Sequence, residues 1–423
     1  MKQEALQDGG MMDSGPEAVT VDKLSSFDQV ESIRGEWNEL HDALVPGSIH
    51  ADIDWYCMIA KSFASNNSPV VFTFRRKTVL VGIIAGYYHE RKVPLKFGYL
   101  QLGHFKTPAL STNYQCCIGR ADQYLHQKMA DVLWAELSSG NVRLIYVNAL
   151  PTNDPLYQTL ARTRLSDGIC LAYPPARHMM MRLAKTLQET IEVKGPRVRA
   201  FLRRIINKNS RPDAAPVFTL RLFTRPEELE RYFADAEAVA QKTYQRALNV
   251  GFQPTSFHRT QAEIAAKKGC FRGNILYNKD NPVAFQEDYL RGTHCFNPYV
   301  GYDPAYRSHN PGTLLMVKAW EELIKSTKAT VYDFGYGEGM YKERFADICI
   351  CEGELLLFAM TFGNLFFYVL LSVDLWIEKN LKRLLNTLGI YEAIKKFWRR
   401  QKTPATPSNI HPARPREADS TTE

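Results

Sequence analysis

The sequence predicts an α/β chain of two similar halves, each a mixed, mostly antiparallel sheet flanked by helices, with amphipathic helices at the C-terminal end. Three observations predict it. A chain of 423 residues is too long for one ordinary core. The same order of elements (hairpin, further strand, helix, strand) occurs twice, with the hairpins about 200 residues apart. Beyond residue 352 the character changes to apolar and basic helical stripes.

Composition sets the class. Apolar residues make up 45% and charged residues 23%, as in globular proteins. The formal charge of +8 permits anionic partners and singles out none. The eight cysteines show no zinc spacing and no paired framework, which reads as free thiols in a reducing compartment and no metal site. Residues 1–24 are polar at the start, with no apolar core, and read as a disordered leader rather than a secretory signal.

The first half, 25–175, begins its sheet with a strand at Val70–Phe74, a turn at 75–77 and a longer strand at Thr78–Tyr88. A further strand is expected near Lys96–Leu102. Leu125, Met129, Val132, Leu133 and Leu137 repeat at helical spacing over about Asp122–Ser138, and Arg143–Asn148 closes the unit. The second half, 176–351, repeats this order. Its strands are Arg272–Tyr277, Pro282–Leu290 and Thr293–Gly301, its helix about Thr313–Lys325, and its closing strand Ala329–Phe334. Before them come a helix at 195–211 with Arg197, Arg199, Arg203, Arg204 and Lys208, and two more at Pro226–Ala247 and 255–269.

Residues 352–402 form the third region. The run 353–373 is apolar for nearly the length of a membrane span, which takes about 20 residues. Gly363-Asn364 interrupts it as a junction would, so we read a strand at about 353–359 and then a buried or interfacial helix. Leu381, Leu385, Ile394, Phe397 and Trp398 then recur among seven lysines and arginines between 379 and 400. That is the pattern of a helix lying on an anionic membrane face. Residues 403–423 read as a disordered tail.

Two motifs carry chemistry. In the first, a strand ends near Gly301, and a loop with Arg307, Ser308, Asn310 and Gly312 leads into a helix at Thr313. Free N–H groups at such a helix start suit a pyrophosphate. In the second, "YDFGYGEGMYKERF" at 332–345, a strand ends in Asp333, glycines 335, 337 and 339 loosen the loop, and Tyr341-Lys342 follow. On the strand "AFQEDYL", alternation sets Glu287 opposite Gln286 and Asp288, so one of these sets faces the cleft. His258 and His294 read as structural histidines.

Taken in order, these features resemble the GNAT acyltransferases, and within them the CelD/BioF-like group, over about 25–402 and most strongly over 241–350. The residues that carry the resemblance are "FHRTQAEIAAKKG", "PVAF", "GYDPAYRSHNPGTLLM" and "YDFGYGEGMYKERF", with Asn310 where the family loop has its first glycine. The two-half layout is similar to the Fem-type transferases. The resemblance implies an acyl-CoA co-substrate (acetyl-CoA or another), its pyrophosphate held by Arg307, Ser308, Asn310, Gly312 and Thr313, and its thioester lying where two parallel strands part. It implies catalytic roles for Glu287, Asp333 and Tyr341: a base for an amine or hydroxyl, and a proton for the leaving thiolate. Glu338, Lys342 and Gln286 are expected to bind the acceptor, a glycan or envelope precursor. The first half has no such loop in "CCIGRADQYLHQ" and reads as a degenerate copy.

No P-loop, dinucleotide fingerprint or nucleophile elbow is present, which argues against NTP, NAD and covalent acyl-enzyme chemistry. The expectation is direct acyl transfer by a cytoplasmic protein peripheral to the membrane, acting in polysaccharide biosynthesis, with nucleic acid not expected as a partner. Two rivals stand beside it: a non-catalytic scaffold of the same fold in polysaccharide export, and a Fem-like aminoacyltransferase that meets charged tRNA through the arginines at 197–204.

Overall fold

The structure is a computed structural model and describes residues 18–45, 47–65, 68–97, 100–162, 168–209, 216–243, 246, 251–337 and 339–387. The chain begins with β1 (Val19–Leu24), a strand paired with β2 where a disordered leader was expected, and continues through α1 (Phe27–Ser32), α2 (Arg34–Leu44), α3 (Ile53–Phe63), β2 (Val70–Arg76), β3 (Val79–Phe97), β4 (Leu100–Gly119), α4 (Gln123–Ser138), β5 (Leu144–Pro151), α5 (Pro155–Ala161), β6 (Ile169–Ala172) and β7 (Ala176–Arg182). There follow α6 (Leu187–Glu192), α7 (Pro196–Asn209), β8 (Phe218–Phe223), α8 (Leu229–Ala240), α9 (Ser256–Lys267), β9 (Phe271–Asn278), β10 (Asn281–Arg291), β11 (His294–Tyr302), α10 (Pro311–Ser326), β12 (Val331–Tyr336), α11 (Met340–Phe345), β13 (Ile348–Phe358) and α12 (Phe362–Thr387).

The duplication is visible in the pairing. β2-β3-β4 and β9-β10-β11 are antiparallel meanders, and each hands over to a parallel neighbour across a helix: β4 to β5 through α4, β11 to β12 through α10. Both hairpins turn on a lysine at positive φ, Lys77 and Lys279. The halves then exchange strands. β7, which lies just beyond the expected 175/176 boundary, pairs with β12 of the second half, and β13 inserts between β5 of the first half and β7. One sheet results, in the order β1-β2-β3-β4-β5-β13-β7-β12-β11-β10-β9-β8, with β6 on β13.

Helices cover both faces. In the first half, Leu125, Met129 and Leu133 of α4 pack on Phe72, Phe74, Ile84 and Ile145, while Trp37 of α2 and Tyr56 of α3 cover Val71 and Ile83 on the other face. In the second half α10 buries Leu314, Trp320 and Leu323 on one face, and α8 and α9 close the other. Each such fully buried large side chain contributes about 1.5–3 kcal/mol. Trp55 and Met58 of α3 belong to the second-half cluster, so this helix bridges the halves. Arg291, at the end of β10, donates to Asp52 and Asp42 across the same boundary.

Several boundaries differ from expectation for physical reasons. The expected strands at 78–88 and 96–102 belong to one long hairpin, β3 with β4, that runs to Gly119. Gly86 marks its bulge: a Cβ there would lie 2.3 Å from the Ser111 carbonyl oxygen. The helix expected over Pro226–Ala247 is a short 3-10 turn followed by α8, which ends at Ala240. α10 starts two residues early because Pro311 takes the first helical position, where a missing N–H costs nothing. The strand expected at 353–359 is β13, which starts at Ile348, straddles the expected 351/352 boundary and is central. The strand-to-helix junction falls at Ala359–Thr361, ahead of Gly363-Asn364, where Asn364 accepts no break and its amide instead donates to the Ala359 carbonyl. Among the C-terminal residues expected at a membrane, Ile394, Phe397 and Trp398 lie outside the described residues. No described helix is long and apolar enough to cross a membrane.

Candidate active site

The site starts where β11 and β12 part. They pair in parallel over His294–Phe296 and Val331–Asp333. Beyond that, β11 continues along β10 to Tyr302, while β12 bulges and rejoins β7 at Tyr336 opposite His178. A cleft therefore opens at Phe296 and Asp333. Because the strands are parallel, its open end is where β11 leads into α10 and β12 into the glycine loop.

At that end Arg307, Ser308 and Asn310 are exposed, and Gly312 and Thr313 are half-exposed. The structure thus gathers all five expected cofactor residues on one turn. Asn310 takes φ 52° and ψ 50°, the left-handed conformation that asparagine tolerates, so it does what a glycine would do there. No side chain caps the helix. Gly312 lies against Tyr302, where a Cβ would come within 3.2 Å of the ring. Lys208 of the basic helix α7 reaches this loop and donates to the Ser308 carbonyl at 3.1 Å.

The first half is built differently at the same place. α4 begins at Asp122, whose carboxylate accepts from the Tyr124 N–H and pairs with Arg76. An acidic cap already occupies the positive end of this helix.

Asp333 sits at the vertex and does not stand alone. Its Oδ1 accepts from the Gly335 N–H at 2.7 Å and from His178 Nε2 at 2.6 Å. The other nitrogen of His178 meets Glu352 Oε1 at 3.0 Å, and the Tyr114 hydroxyl donates to Glu352 Oε2 at 2.9 Å. A carboxylate on each nitrogen makes both of them donors, so His178 is an imidazolium. Burial alone would lower its pKa, but Asp333 and Glu352 outweigh that and raise it to about 10. Burial in turn raises Asp333, and the His178 charge more than reverses it, leaving the carboxyl below its ordinary value. The side chain of Asp333 is 15% exposed, against 3% for His178 and 2% for Glu352, so it is the accessible end of the chain of groups. Beside it, His50 rests edge-on against Tyr114 and Phe296 and is pushed down to about 4 by burial, so it is neutral.

The other expected residues are placed as follows. Lys342 is buried under the glycine loop, donating to the carbonyls of Gly335 and Tyr336 at 3.3 and 2.9 Å, with burial pushing it down to about 8. Tyr341 is half-exposed at the start of α11, its ring 6.0 Å from Phe334. Glu338 lies outside the described residues. The alternation on β10 is real, but helices close both faces. Glu287 is fully buried beneath α8 and α9, accepting from His258 Nε2 and the Tyr289 hydroxyl, each at 2.7 Å. Gln286 is equally buried on the α10 face and donates to Asp288, which also accepts from Asn274, Asn297 and, across β11, from Tyr332. Burial lifts Asp288 to about 6 against those hydrogen bonds. This buried network braces the strands just before they part.

Sequence reasoning missed His178, Glu352, Tyr114 and His50. His178 follows Arg177 in β7 and Glu352 stands two residues from Glu354 in β13, and no spacing in either strand marks one polar residue over its neighbour.

Residues 196–343, from α7 to α11, match the family described as an acetyltransferase (GNAT) domain. No curated protein matches the sequence. Among solved structures, FemX superposes with a TM-score of 0.57 at 10% identity, covering 86% of this chain and 99% of FemX. L-PGS from Bacillus licheniformis follows at 0.46 and 12%, covering 83% and 97%, and a tandem GNAT protein from the clavulanic acid biosynthesis pathway at 0.46 and 12%, covering 80% and 98%. The FemX overlay shows the shared fold over nearly the whole chain. The family match covers about a third of the chain, within its second half.

Proposed function

We propose that the protein transfers an acyl group, acetyl in the first instance, from acyl-CoA to an amine or hydroxyl of a glycan or cell-envelope precursor. The observation that carries this is the parting of β11 and β12 at Phe296 and Asp333, with the uncapped start of α10 at the open end. The pyrophosphate lies on the Arg307–Thr313 turn and the thioester in the cleft. Asp333 accepts a hydrogen bond from the nucleophile. As the new C–N or C–O bond forms and the C–S bond breaks, the proton passes to Asp333, and Tyr341 protonates the departing thiolate.

The second carboxylate has a role in this scheme. Asp333, His178 and Glu352 together carry one net negative charge. When Asp333 is protonated the His178 imidazolium keeps Glu352 as its counter-ion, so no buried charge is stranded. The acceptor class follows from the resemblance of the motifs. Titration calorimetry with acetyl-CoA and longer acyl-CoAs tests the reading, with saturable binding expected. A chain that binds no acyl-CoA is not this enzyme.

A further inference from the structure

α12 has two unlike faces. Its inner face packs Leu371, Tyr368 and Leu375 on the end of the first-half sheet, and Phe367 stacks on Phe105. Its outer face carries Phe362, Leu365, Phe366, Val369, Val373 and Trp376, all exposed. At 100° per residue these six fall within about 50° of a single line along the helix. Phe362 is 95% exposed, Phe366 65% and Trp376 66%, so the stripe supports nothing within the fold. Large apolar side chains gathered in this way mark a contact surface.

The charges choose the occupant. The next turns bring Arg383 onto the edge of the same face and Lys379 about a quarter turn from it, both exposed, and seven lysines and arginines fall between 379 and 400 in the sequence. An apolar stripe followed by a basic fringe and closed by a tryptophan matches the layering of an anionic bilayer surface. A second copy of the chain would bring like charge to like. The helix has 26 residues, enough to span, but it is not apolar enough to cross, and its one-sided stripe suits the interface.

We propose that the 362–376 face of α12 docks this protein flat on an anionic lipid surface. The anchor lies N-terminal to the segment the sequence points to. α12 follows directly from β13, the strand that carries Glu352. The six steps from Glu352 to Phe358 span roughly 20 Å at strand rise, so docking brings the proposed catalytic cleft close to the surface.

The test is co-sedimentation of the full chain with vesicles of phosphatidylcholine, alone and mixed with phosphatidylglycerol. The wild type is expected to pellet with the mixed vesicles and far less with the neutral ones. Phe362→Glu and the double variant Phe366→Glu/Trp376→Glu are expected to bind at least about tenfold more weakly, since each removes a large buried-on-docking side chain. Lys379→Ala/Arg383→Ala should bind a few-fold more weakly, with a reduced response to salt, which screens over about 8–10 Å. All these positions face solvent, so thermal unfolding and acyl-CoA titration should match wild type. Failure of this idea is thereby separable from failure of the transferase reading. Glutamate variants that pellet like wild type would overturn the proposal, as would a wild type that pellets with neither vesicle. A dimer in light scattering that Phe366→Glu dissociates would also overturn it and assign the face to a second copy.

Discussion

His178 Nε2 stands 2.6 Å from Asp333 Oδ1, although 155 residues of chain separate the two. The contact exists because β7 crosses over to pair with β12. Neither half can assemble the Asp333–His178–Glu352 chain without the other, since Glu352 arrives on β13 and its tyrosine partner, Tyr114, on β4.

Asp333→Asn should therefore lower the turnover rate by about 10²–10⁴-fold, the usual contribution of a positioned base, with acyl-CoA affinity unchanged. His178→Gln should also slow the reaction, because Asp333 loses its counter-charge. Glu287→Gln separates this reading from the one in which Glu287 is the base. Glu287 is sealed beneath α8 and α9, so its substitution should leave turnover within a few-fold and cost about 1–3 kcal/mol of stability, as for a disturbed buried hydrogen bond. Release of free thiol from acetyl-CoA in the presence of amine and sugar acceptors, alongside urea unfolding, measures both. A slow Glu287→Gln with an active Asp333→Asn would reverse the assignment.

Stability should depend on pH on both sides of neutrality. His178, ordinarily near 6.5, is raised to about 10 in the fold, so its contribution is complete below pH 6.5 and fades as pH rises through 10. His50 and His89 are pushed from 6.5 down to about 4 by burial, so stability is lost as pH falls from 6.5 towards 4 and they are forced to charge. Lys342, lowered to about 8 from 10.5, works against His178 above pH 8. The cleanest window is thus pH 6.5–8, where wild type should lose stability with rising pH and His178→Gln should lose less. Urea midpoints across pH 4–10 test this, and parallel curves for the two proteins would show that His178 is not charged in the fold.

Much of this architecture was readable in advance because it is local. Helical periodicity in Leu125–Leu137 and the turn chemistry of "NKDN" need only near neighbours, and so does the anion turn at 307–313. The exchange of β7 and β13 was not readable, because nothing in "ARHMMMR" or "ICICEGELLLF" states which strand, about 150 to 200 residues away, each will pair with. The same distance hid the site. Asp333 stood out at the end of a strand before glycines, but its partners His178 and Glu352 have meaning only once that pairing is formed. For Glu287 and Gln286 the alternation was visible. What could not be seen is that α8 and α9 on one side and α10 on the other close both faces of β10.

The glycine loop should be sensitive to small changes. Gly335 has φ +74°, and a Cβ there would lie 3.0 Å from the Phe296 ring, across the opening of the cleft. Gly335→Ala should cost about 1–2 kcal/mol for the left-handed backbone and lower turnover further by moving the N–H that orients Asp333. Lys342→Met should leave the Gly335 and Tyr336 carbonyls unsatisfied and cost about 1–3 kcal/mol. Chemical unfolding of both variants checks the stabilities. Wild-type values for Lys342→Met would mean that the lysine serves an acceptor and not the loop.

The two helix starts that correspond between the halves make opposite predictions for ligand binding. α10 offers uncapped N–H groups beyond Asn310, with Arg307 beside them, whereas α4 is closed by the Asp122 carboxylate and its pair with Arg76. A pyrophosphate at α4 would face a fixed negative charge at the position it needs. One acyl-CoA per chain is therefore expected, and calorimetric stoichiometry should be one. Arg307→Ala should weaken binding by about 1–3 kcal/mol through a lost charge-assisted contact. Gly312→Val should do at least as much, since its side chain would meet the Tyr302 ring and push the turn away from the phosphates. Asp122→Ala should leave acyl-CoA binding untouched while costing about 0.5–2 kcal/mol of stability as a lost cap. A stoichiometry of two, or a binding site that answers to Asp122 and ignores Arg307, would place the ligand in the first half and reverse the order of the two halves.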